Sequence, residues 1–191
     1  MRIIAGSARG ARLKAPKGLL TRPTSDRVKE SLFSILGARV RGRHVLDLFA
    51  GTGSLGLEAL SRGAEDAVFV DRATSAVIEA NAAHTHFTEL SRIMRCDVFT
   101  ALTHLAAEDT RFDLVFCDPP YGKGLWERTL GALDTSRLLR DDALVVAECG
   151  GEERTVPPLS SLSLVREAAY GKTTRILIFE RRAIPAREAD V

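Results

Sequence analysis

Apolar runs and helical patterns alternate through the middle of the chain. Five short apolar runs, most of them with β-branched residues, are typical of strands buried on both faces: residues 45–49, 67–71, 93–97, 112–118 and 143–148. Helical patterns occupy three of the intervals between them, at residues 54–62, 74–87 and 98–107. Strands that alternate with helices predict a parallel sheet with helices on both faces.

The C-terminal part departs from this alternation. Residues 163–170 and 173–181 are both strand-like, and only Gly171 and Lys172 separate the two patterns. Because so short a connection joins antiparallel strands, the sheet is predicted to finish in an antiparallel hairpin.

The N-terminal part predicts a separate small unit. Strand-like residues 2–5 and 11–16 flank Gly6 and Gly10, which predicts a β-hairpin with two differing sides. Residues 25–36 follow with a helical pattern. Its predicted buried stripe has the spacing i, i+4, i+7, i+8 and consists of Val28, Leu32, Ile35 and Leu36.

Together these patterns predict an α/β protein. Its mostly parallel sheet ends in the C-terminal antiparallel hairpin and is preceded by a small N-terminal β-hairpin and helix. We therefore expect a basic extension at residues 1–43, a main domain at 44–182 and a frayed tail at 183–191.

Composition narrows the class of protein. A hydrophobic content of 45% and a charged content of 27% are ordinary for a globular domain. The apolar runs are too short to span a membrane, and the apolar stretch after Met1 is too short for a signal peptide. The three cysteines, Cys96, Cys117 and Cys149, are scattered. This predicts reduced thiols in the cytoplasm, with no disulfide framework and no metal site.

Charge is distributed unevenly along the chain. Residues 1–43 hold 11 of the 27 Lys and Arg residues but 2 of the 25 acidic ones, a balance of +9. The remainder carries −7, which leaves the net charge of +2. A basic N-terminal extension on a mildly acidic body predicts contact with a polyanion, although a solvated extension would have the same composition.

A glycine-rich turn follows the first predicted strand. Gly51, Gly53 and Gly56 form a G-x-G-x-x-G pattern, and Asp71 ends the next strand about twenty residues later. Both features match the dinucleotide fingerprint, so an oxidoreductase that uses NAD or FAD is one interpretation.

Two further acids favour S-adenosylmethionine over a dinucleotide. Asp47 lies four residues before the first glycine, where a carboxylate would repel a pyrophosphate but could hold an ammonium group, directly or through water. Asp97 ends the third predicted strand, where it could accept from an adenine amino group. Acids at the ends of three successive strands suit a cationic ligand with an amine, a ribose and an adenine.

The fourth predicted strand runs directly into Asp118, Pro119, Pro120 and Tyr121. Because prolines cannot continue a strand ladder, the backbone must leave the sheet there. The Asp118 carboxylate and the Pro119 carbonyl could both accept from one planar amino group, and Tyr121 could stack on a base. Such acceptors would steer the nitrogen lone pair of a weakly nucleophilic exocyclic amine toward a methyl donor. Cys117, just before this motif, is expected to be a buried structural thiol.

These motifs resemble those of class I N-methyltransferases with a Rossmann-like sheet. Residues 21–33, Thr-Arg-Pro-Thr-Ser-Asp-Arg-Val-Lys-Glu-Ser-Leu-Phe, narrow the resemblance to the RsmD-like family of bacterial 16S rRNA guanine-N2 methyltransferases. The resemblance extends from Arg2 to about Arg181. Ser25 stands where threonine is frequent in the family and keeps the hydroxyl group.

The resemblance implies a function for each motif. S-adenosylmethionine would be the cofactor, and the amino group of a guanine in 16S rRNA, presented in an assembled or assembling small subunit, would be the substrate. A monomer without membrane contact is also implied. By motif, the catalytic pocket would comprise Asp118, Pro119, Pro120 and Tyr121. The cofactor would be surrounded by Asp47, Phe49, Gly51, Gly53, Asp71 and Asp97. RNA would contact Arg9, Arg12, Lys14, Arg22 and Arg27.

Phosphate contacts from these basic residues would supply affinity without base choice. The target base must be unstacked, which costs least in a loop, so a hairpin or loop site is expected.

Three alternatives stay open beside the oxidoreductase. An adenine-N6 methyltransferase would use the same pocket. A protein-glutamine methyltransferase more typically has asparagine where Asp118 stands. An RNA-binding assembly factor without catalysis would need only the basic hairpin.

Overall fold

The computed structural model describes residues 1–15, 26–153, 156–171 and 173–182. Its five α-helices are α1 (Asp26–Leu36), α2 (Ser54–Ser61), α3 (Ser75–His84), α4 (Val98–Ala107) and α5 (Leu125–Asp134). Its seven strands are β1 (His44–Leu48), β2 (Asp66–Val70), β3 (Ser91–Met94), β4 (Phe112–Cys117), β5 (Leu139–Gly150), β6 (Leu162–Tyr170) and β7 (Thr174–Arg181). Short 3₁₀ turns lie at Gly37–Val40 and Thr88–Leu90.

The strands form one sheet in the order β3-β2-β1-β4-β5-β7-β6. Strands β1 to β5 pair in parallel, whereas β7 is antiparallel to both β5 and β6. The predicted α/β architecture and its antiparallel ending are confirmed. After β1 the chain moves outward to β2 and β3, and it then returns to place β4 on the other side of β1. This reversal opens a crevice at the carboxyl ends of β1 and β4, where ligands of such sheets bind.

Each face of the sheet carries its own apolar core. Residues Leu57, Phe69 and Phe116 belong to one core, which also includes apolar residues of α1, α2 and α3. Residues of α4 and α5 pack against the other face together with Val115 and Phe179. These two layers hold the strands in register, so the positions of their carboxyl ends follow from core packing.

The N-terminal hairpin is less regular than the sequence pattern predicts. A single antiparallel bridge joins Arg2 to Arg12, although the amide of Ile3 donates to the Ala11 carbonyl at 2.9 Å. Ile3 is fully buried and Leu13 is nearly so. Because these two apolar side chains pack into the core of the main domain, the hairpin is docked and does not project into solvent. The predicted division between residues 1–43 and 44–182 stays a prediction.

Several predicted boundaries and faces were wrong. In α1 the buried positions are Lys29, Leu32, Phe33 and Leu36, so the predicted Val28 and Ile35 lie at the margin of the stripe. Strand β3 ends at Met94, and Asp97 is instead the N-cap of α4. Helix α5 was not predicted from the sequence, although its buried positions include Trp126, Leu130 and Leu133 at helical spacing.

Within the described ranges, no helix combines the length and apolar character that crossing a bilayer requires. All three cysteines are free thiols, with Cys117 and Cys149 buried. Burial raises the pKa of the Cys117 thiol far above its ordinary value. The expected structural role of Cys117 therefore agrees with its environment.

Candidate active site

The sheet register brings the candidate residues to one edge. Leu48 of β1 lies beside Val70 of β2 and Cys117 of β4, and Cys117 lies beside Ala147 of β5. The residues that follow these positions are therefore neighbours at the carboxyl edge: Asp71, Phe49, Asp118 and Glu148. Adjacent strands are about 5 Å apart, so the glycine turn and the Asp-Pro-Pro-Tyr motif meet across one crevice.

The glycine turn has a backbone that favours glycine. Gly51 and Gly53 have φ angles of 57° and 76°, and Phe49 has a φ of 59° although it carries a side chain. A Cβ at Gly51 would meet only the Phe49 carbonyl oxygen within 4 Å, at 3.9 Å, so the backbone there is open to a ligand. At Gly56, by contrast, a Cβ would lie 2.3 Å from the Phe69 ring. Gly56 therefore serves close packing of α2 on β2.

Asp71 orders this turn. One carboxylate oxygen accepts from the Gly51 amide at 3.1 Å. The other accepts from the amides of Ala73 and Thr74, at 2.8 and 2.9 Å, just before α3 begins. The Asp71 side chain thus joins the glycine turn to the start of α3 at the edge of the crevice. Its role toward a ribose stays a prediction.

Asp97 and Asp47 occupy contrasting environments. Asp97 is exposed and caps α4 by accepting from the Phe99 amide at 2.9 Å. Asp47 is 2% exposed and accepts from the Gly56 amide at 2.9 Å, beneath α2. Burial raises the pKa of Asp47 to about 7, and the hydrogen bond from Gly56 opposes that rise. Asp47 therefore supports the glycine turn from below, and its predicted contact with a ligand ammonium stays a prediction.

The Asp-Pro-Pro-Tyr segment leaves the sheet at the carboxyl end of β4, as predicted. Asp118 is partly exposed, Pro119 is buried and Pro120 is exposed. The Tyr121 hydroxyl donates to Glu148 Oε1 at 2.5 Å and lies 3.5 Å from Thr174 Oγ1. Its ring lies against β5, because a Cβ at Gly150 would be 3.4 Å from Tyr121 Cδ2. Burial, together with the adjacent Glu148 carboxylate, raises the Tyr121 pKa, so the phenol stays protonated.

Two acids that the sequence analysis did not assign hold this segment in place. Glu148 is a partly exposed residue of β5, between the buried Ala147 and Cys149, and it accepts from the Tyr121 hydroxyl. Glu153 accepts from the amides of Gly122 and Gly150, at 2.9 and 2.7 Å. An acid at the end of a fifth successive strand was a signal for Glu148. No local pattern indicated Glu153, because its partners are backbone amides brought close by the fold.

The predicted RNA-facing residues lie on the hairpin and on α1. Arg9, Arg12, Lys14 and Arg27 are exposed. Arg22 lies outside the described residues, as do residues 21 and 23–25 of the same 21–33 motif. The structure therefore places four of the five predicted basic residues at the surface, and their contact with RNA stays a prediction.

The hairpin contacts the glycine turn through Asn81 of α3. The Asn81 amide oxygen accepts from the Lys14 amide at 2.8 Å. Its nitrogen donates to the carbonyls of Lys14 and Thr52, at 3.0 and 2.9 Å. Asn81 is fully buried. One side chain therefore connects the basic hairpin to the turn that is predicted to hold the cofactor.

The polar groups at the edge of the crevice fit the S-adenosylmethionine that the family resemblance implies. The open backbone at Gly51 and the accessible carboxylates of Asp71 and Asp97 lie along one crevice and can accept from hydroxyl and amino groups. Among the described residues, no group of three or more His, Cys, Asp or Glu side chains is arranged to hold a metal ion.

The chain is similar to a described protein family and to solved structures with the same fold. A family model described as conserved hypothetical protein 95 matches residues 1–179. Ribosomal RNA small subunit methyltransferase D of Escherichia coli is 38% identical over 192 residues, which cover 100% of this chain and 94% of that protein. The solved E. coli protein yhhF, described as a candidate methyltransferase, has 38% identity and a TM-score of 0.82, covering 96% of this chain and 99% of its own.

A more distant structure shares the fold alone. The candidate methyltransferase SMU.776, solved with SAH bound, has 18% identity and a TM-score of 0.66. The match covers 81% of this chain and 48% of that one. A similar fold is thus found in a protein crystallised with SAH, the demethylated form of the expected cofactor.

Proposed function

The chain belongs to the conserved hypothetical protein 95 family, the RsmD-like family that its motifs resemble, and on that premise we propose that it methylates ribosomal RNA. The methyl donor is S-adenosylmethionine, and the acceptor is the N2 amino group of a guanine in 16S rRNA of the small subunit. The relative named ribosomal RNA small subunit methyltransferase D supports the substrate class, because the match covers 100% of this chain and 94% of that protein. The reaction takes place in the cytoplasm, where ribosomes assemble.

One observation carries the proposal. The glycine turn after β1 and the Asp-Pro-Pro-Tyr segment after β4 lie side by side at the reversal point of the sheet. A cofactor held at the first and a base held at the second would therefore meet within one crevice. Nucleophile and methyl group need this proximity for an in-line displacement.

The residues of the chain orient the acceptor. The Asp118 carboxylate and the Pro119 carbonyl accept from the two hydrogens of the amino group, which directs the nitrogen lone pair into the crevice. Tyr121, held by Glu148, forms one wall of this pocket. Asp71, Asp97 and the turn at Gly51 and Gly53 hold the cofactor, which supplies an electrophilic methyl group when bound. Asp47 supports that turn through Gly56.

The basic hairpin binds the RNA backbone. Arg9, Arg12 and Lys14 are exposed on one element that is docked beside the glycine turn. Cations in this position neutralise phosphates and place a loop nucleotide over the crevice, while base choice is left to the pocket.

An adenine-N6 methyltransferase is the second candidate, because Asp118 and Pro119 would accept equally well from an adenine amino group. A nicotinamide enzyme has no use for Asp-Pro-Pro-Tyr, and an assembly factor without catalysis would not need Asp118 beside the glycine turn. The family membership favours RNA over the protein-glutamine substrate.

Transfer of a labelled methyl group tests the proposal. Small ribosomal subunits that lack their own modification are incubated with the protein and labelled S-adenosylmethionine, and the RNA is digested to nucleosides. We expect the label in N2-methylguanosine. Label in N6-methyladenosine would replace the proposed reaction with the second candidate. No label, with subunits at several stages of assembly, would refute methyl transfer to this RNA.

A further inference from the structure

Glu148 is placed beside Asp118 by the register of the sheet. Cys117 of β4 is paired with Ala147 of β5, so the next residues, Asp118 and Glu148, are neighbours at the carboxyl edge. Neighbouring strands are separated by about 5 Å, which places the two carboxyl-bearing residues next to each other. Glu148 is partly exposed, whereas Ala147 and Cys149 on either side of it are buried.

Tyr121 shows where the Glu148 carboxylate points. The Tyr121 hydroxyl donates to Glu148 Oε1 at 2.5 Å, and the ring lies against Gly150 two residues further along β5. The Glu148 carboxylate therefore faces the Asp-Pro-Pro-Tyr segment. An ionised carboxylate is an acceptor only, with about four lone-pair positions, so it can accept from Tyr121 and from a second donor.

The two purines present opposite groups to such an acceptor. Guanine has N1–H beside its N2 amino group, so its edge offers a row of donors. Adenine has the unprotonated N1 acceptor beside its N6 amino group. A carboxylate opposite that position accepts a hydrogen bond from guanine N1–H and repels the lone pair of adenine N1.

From this juxtaposition we infer that Glu148 is the residue that selects guanine, by accepting a hydrogen bond from N1–H while Asp118 and Pro119 hold the N2 amino group. The inference rests on the proposed amino-group methylation at Asp118. It assigns the preference of that reaction for guanine to the Glu148 carboxylate. The fold supplies the arrangement through two adjacent strands: β4 ends in the residue that orients the amine, and β5 presents the residue that recognises the neighbouring ring nitrogen.

A base analogue separates recognition of N1–H from recognition of the amino group. 2-Aminopurine keeps the 2-amino group of guanine but has an unprotonated N1. Small-subunit RNA is assembled by ligation with either guanine or 2-aminopurine at the methylated position. The ratio of kcat/KM for the two RNAs is then measured. This ratio is insensitive to a misfolded fraction of enzyme, because both substrates are assayed with the same preparation.

We expect wild-type enzyme to prefer guanine over 2-aminopurine by about tenfold or more, since a site built to bind a donor strongly rejects an analogue that lacks it. In Glu148→Gln the preference should fall toward unity, because the amide can donate to N1 of 2-aminopurine. Glu152→Gln, which changes an exposed acid four residues away, should keep the wild-type preference.

Two results would overturn the inference while leaving the proposed function intact. In the first, wild-type enzyme methylates guanine and 2-aminopurine with equal kcat/KM. In the second, Glu148→Gln keeps the wild-type preference for guanine over 2-aminopurine. Absence of guanine methylation by wild-type enzyme would instead refute the proposed function and the inference together.

Discussion

The docked N-terminal hairpin and the Asp-Pro-Pro-Tyr loop are attached to the same domain by different kinds of contact. Under the hairpin lie Lys29 and Glu58, both fully buried, with Lys29 Nζ 3.4 Å from Glu58 Oε2. The Asp-Pro-Pro-Tyr loop is instead held by partly exposed acids, Glu148 and Glu153. Buried charges are costly to separate, whereas partly exposed hydrogen bonds can be lost at little cost in stability. The stability of the fold thus depends on the element proposed to face RNA, and the loop can be altered with effects mainly on chemistry.

The buried pair is part of a larger network. Glu58 accepts from the amides of Ile4 and Ala5, at 2.7 and 3.0 Å, and from Arg62 Nε at 2.8 Å. Lys29 Nζ also donates to the Arg2 carbonyl at 2.7 Å. Burial lowers the pKa of Lys29, and the Glu58 carboxylate opposes that shift. The hairpin backbone is therefore bound to α1 and α2 through charges that water does not reach.

The largest effect is expected from Glu58→Ala. This change removes the carboxylate that pairs with the buried Lys29 ammonium and leaves two hairpin amides without their acceptor, so the free energy of unfolding should fall by about 3–5 kcal/mol. Denaturant titration measures the change. Glu79→Ala, which removes an exposed acid of α3, is the control and should shift stability by less than about 0.5 kcal/mol. A loss below about 1 kcal/mol in Glu58→Ala would show that the network does not anchor the hairpin.

Two glycines of the hairpin provide a matched pair for the next largest effect. Gly6 and Gly10 have φ angles of 85° and 88°, but a Cβ at Gly6 would lie 1.7 Å from the Ser61 carbonyl oxygen, whereas a Cβ at Gly10 meets nothing within 4 Å. Gly10→Ala should cost about 1–2 kcal/mol from backbone strain alone. Gly6→Ala should cost about 1–3 kcal/mol more, because the hairpin must move away from α2. Equal losses by thermal or denaturant unfolding would contradict the close docking.

The sequence pattern predicted the strands of the sheet but not the contacts that dock the N-terminal hairpin. Strand runs such as residues 112–118 were identified because a buried strand is apolar throughout, and Asp118 followed from the prolines after it. The buried role of Lys29 was missed because a lysine on a helix ordinarily faces water, and its partner Glu58 lies on another element. Asn81 was unassigned for the same reason, because its partner Lys14 lies 67 residues away along the chain. Glu148 had a local signal as the acid at the end of a predicted strand, but its contact with Tyr121, 27 residues away, had none. Position in the sheet was readable from local pattern, and contacts between distant elements were not.

On the catalytic side, Glu153→Ala should affect turnover more than stability. The change removes the acceptor for the Gly122 and Gly150 amides and loosens the segment after Tyr121. We expect kcat to fall about tenfold, which corresponds to about 1.4 kcal/mol of lost positioning. The free energy of unfolding should change by less than about 1 kcal/mol. Glu152→Ala is the neighbouring control. A large stability loss with kcat unchanged per folded molecule would reverse the proposed contrast between the two regions.

The smallest effect on the enzyme itself is expected from removing surface charge. Replacing Arg9, Arg12 and Lys14 with alanine should reduce the slope of log affinity for RNA against log salt by about 2, because each lost phosphate contact contributes about 0.7–0.9. Cofactor affinity should not change. A matched variant replaces Arg111, Arg137 and Arg140, which are exposed at the opposite edge of the sheet. Equal salt slopes for the two variants would show that the hairpin does not contact the RNA.

The most direct test of the account is Asp118→Ala, measured for both methyl transfer and cofactor binding. Asp118 is proposed to orient the amino group and not to hold the cofactor. We therefore predict that kcat falls by about 10²–10³-fold, as for loss of a key polar group in other active sites. The dissociation constant for S-adenosylmethionine should stay near the wild-type value. Full transfer activity in this variant would contradict the proposed pocket, and a parallel loss of cofactor binding would contradict the division of roles between the two sides of the crevice.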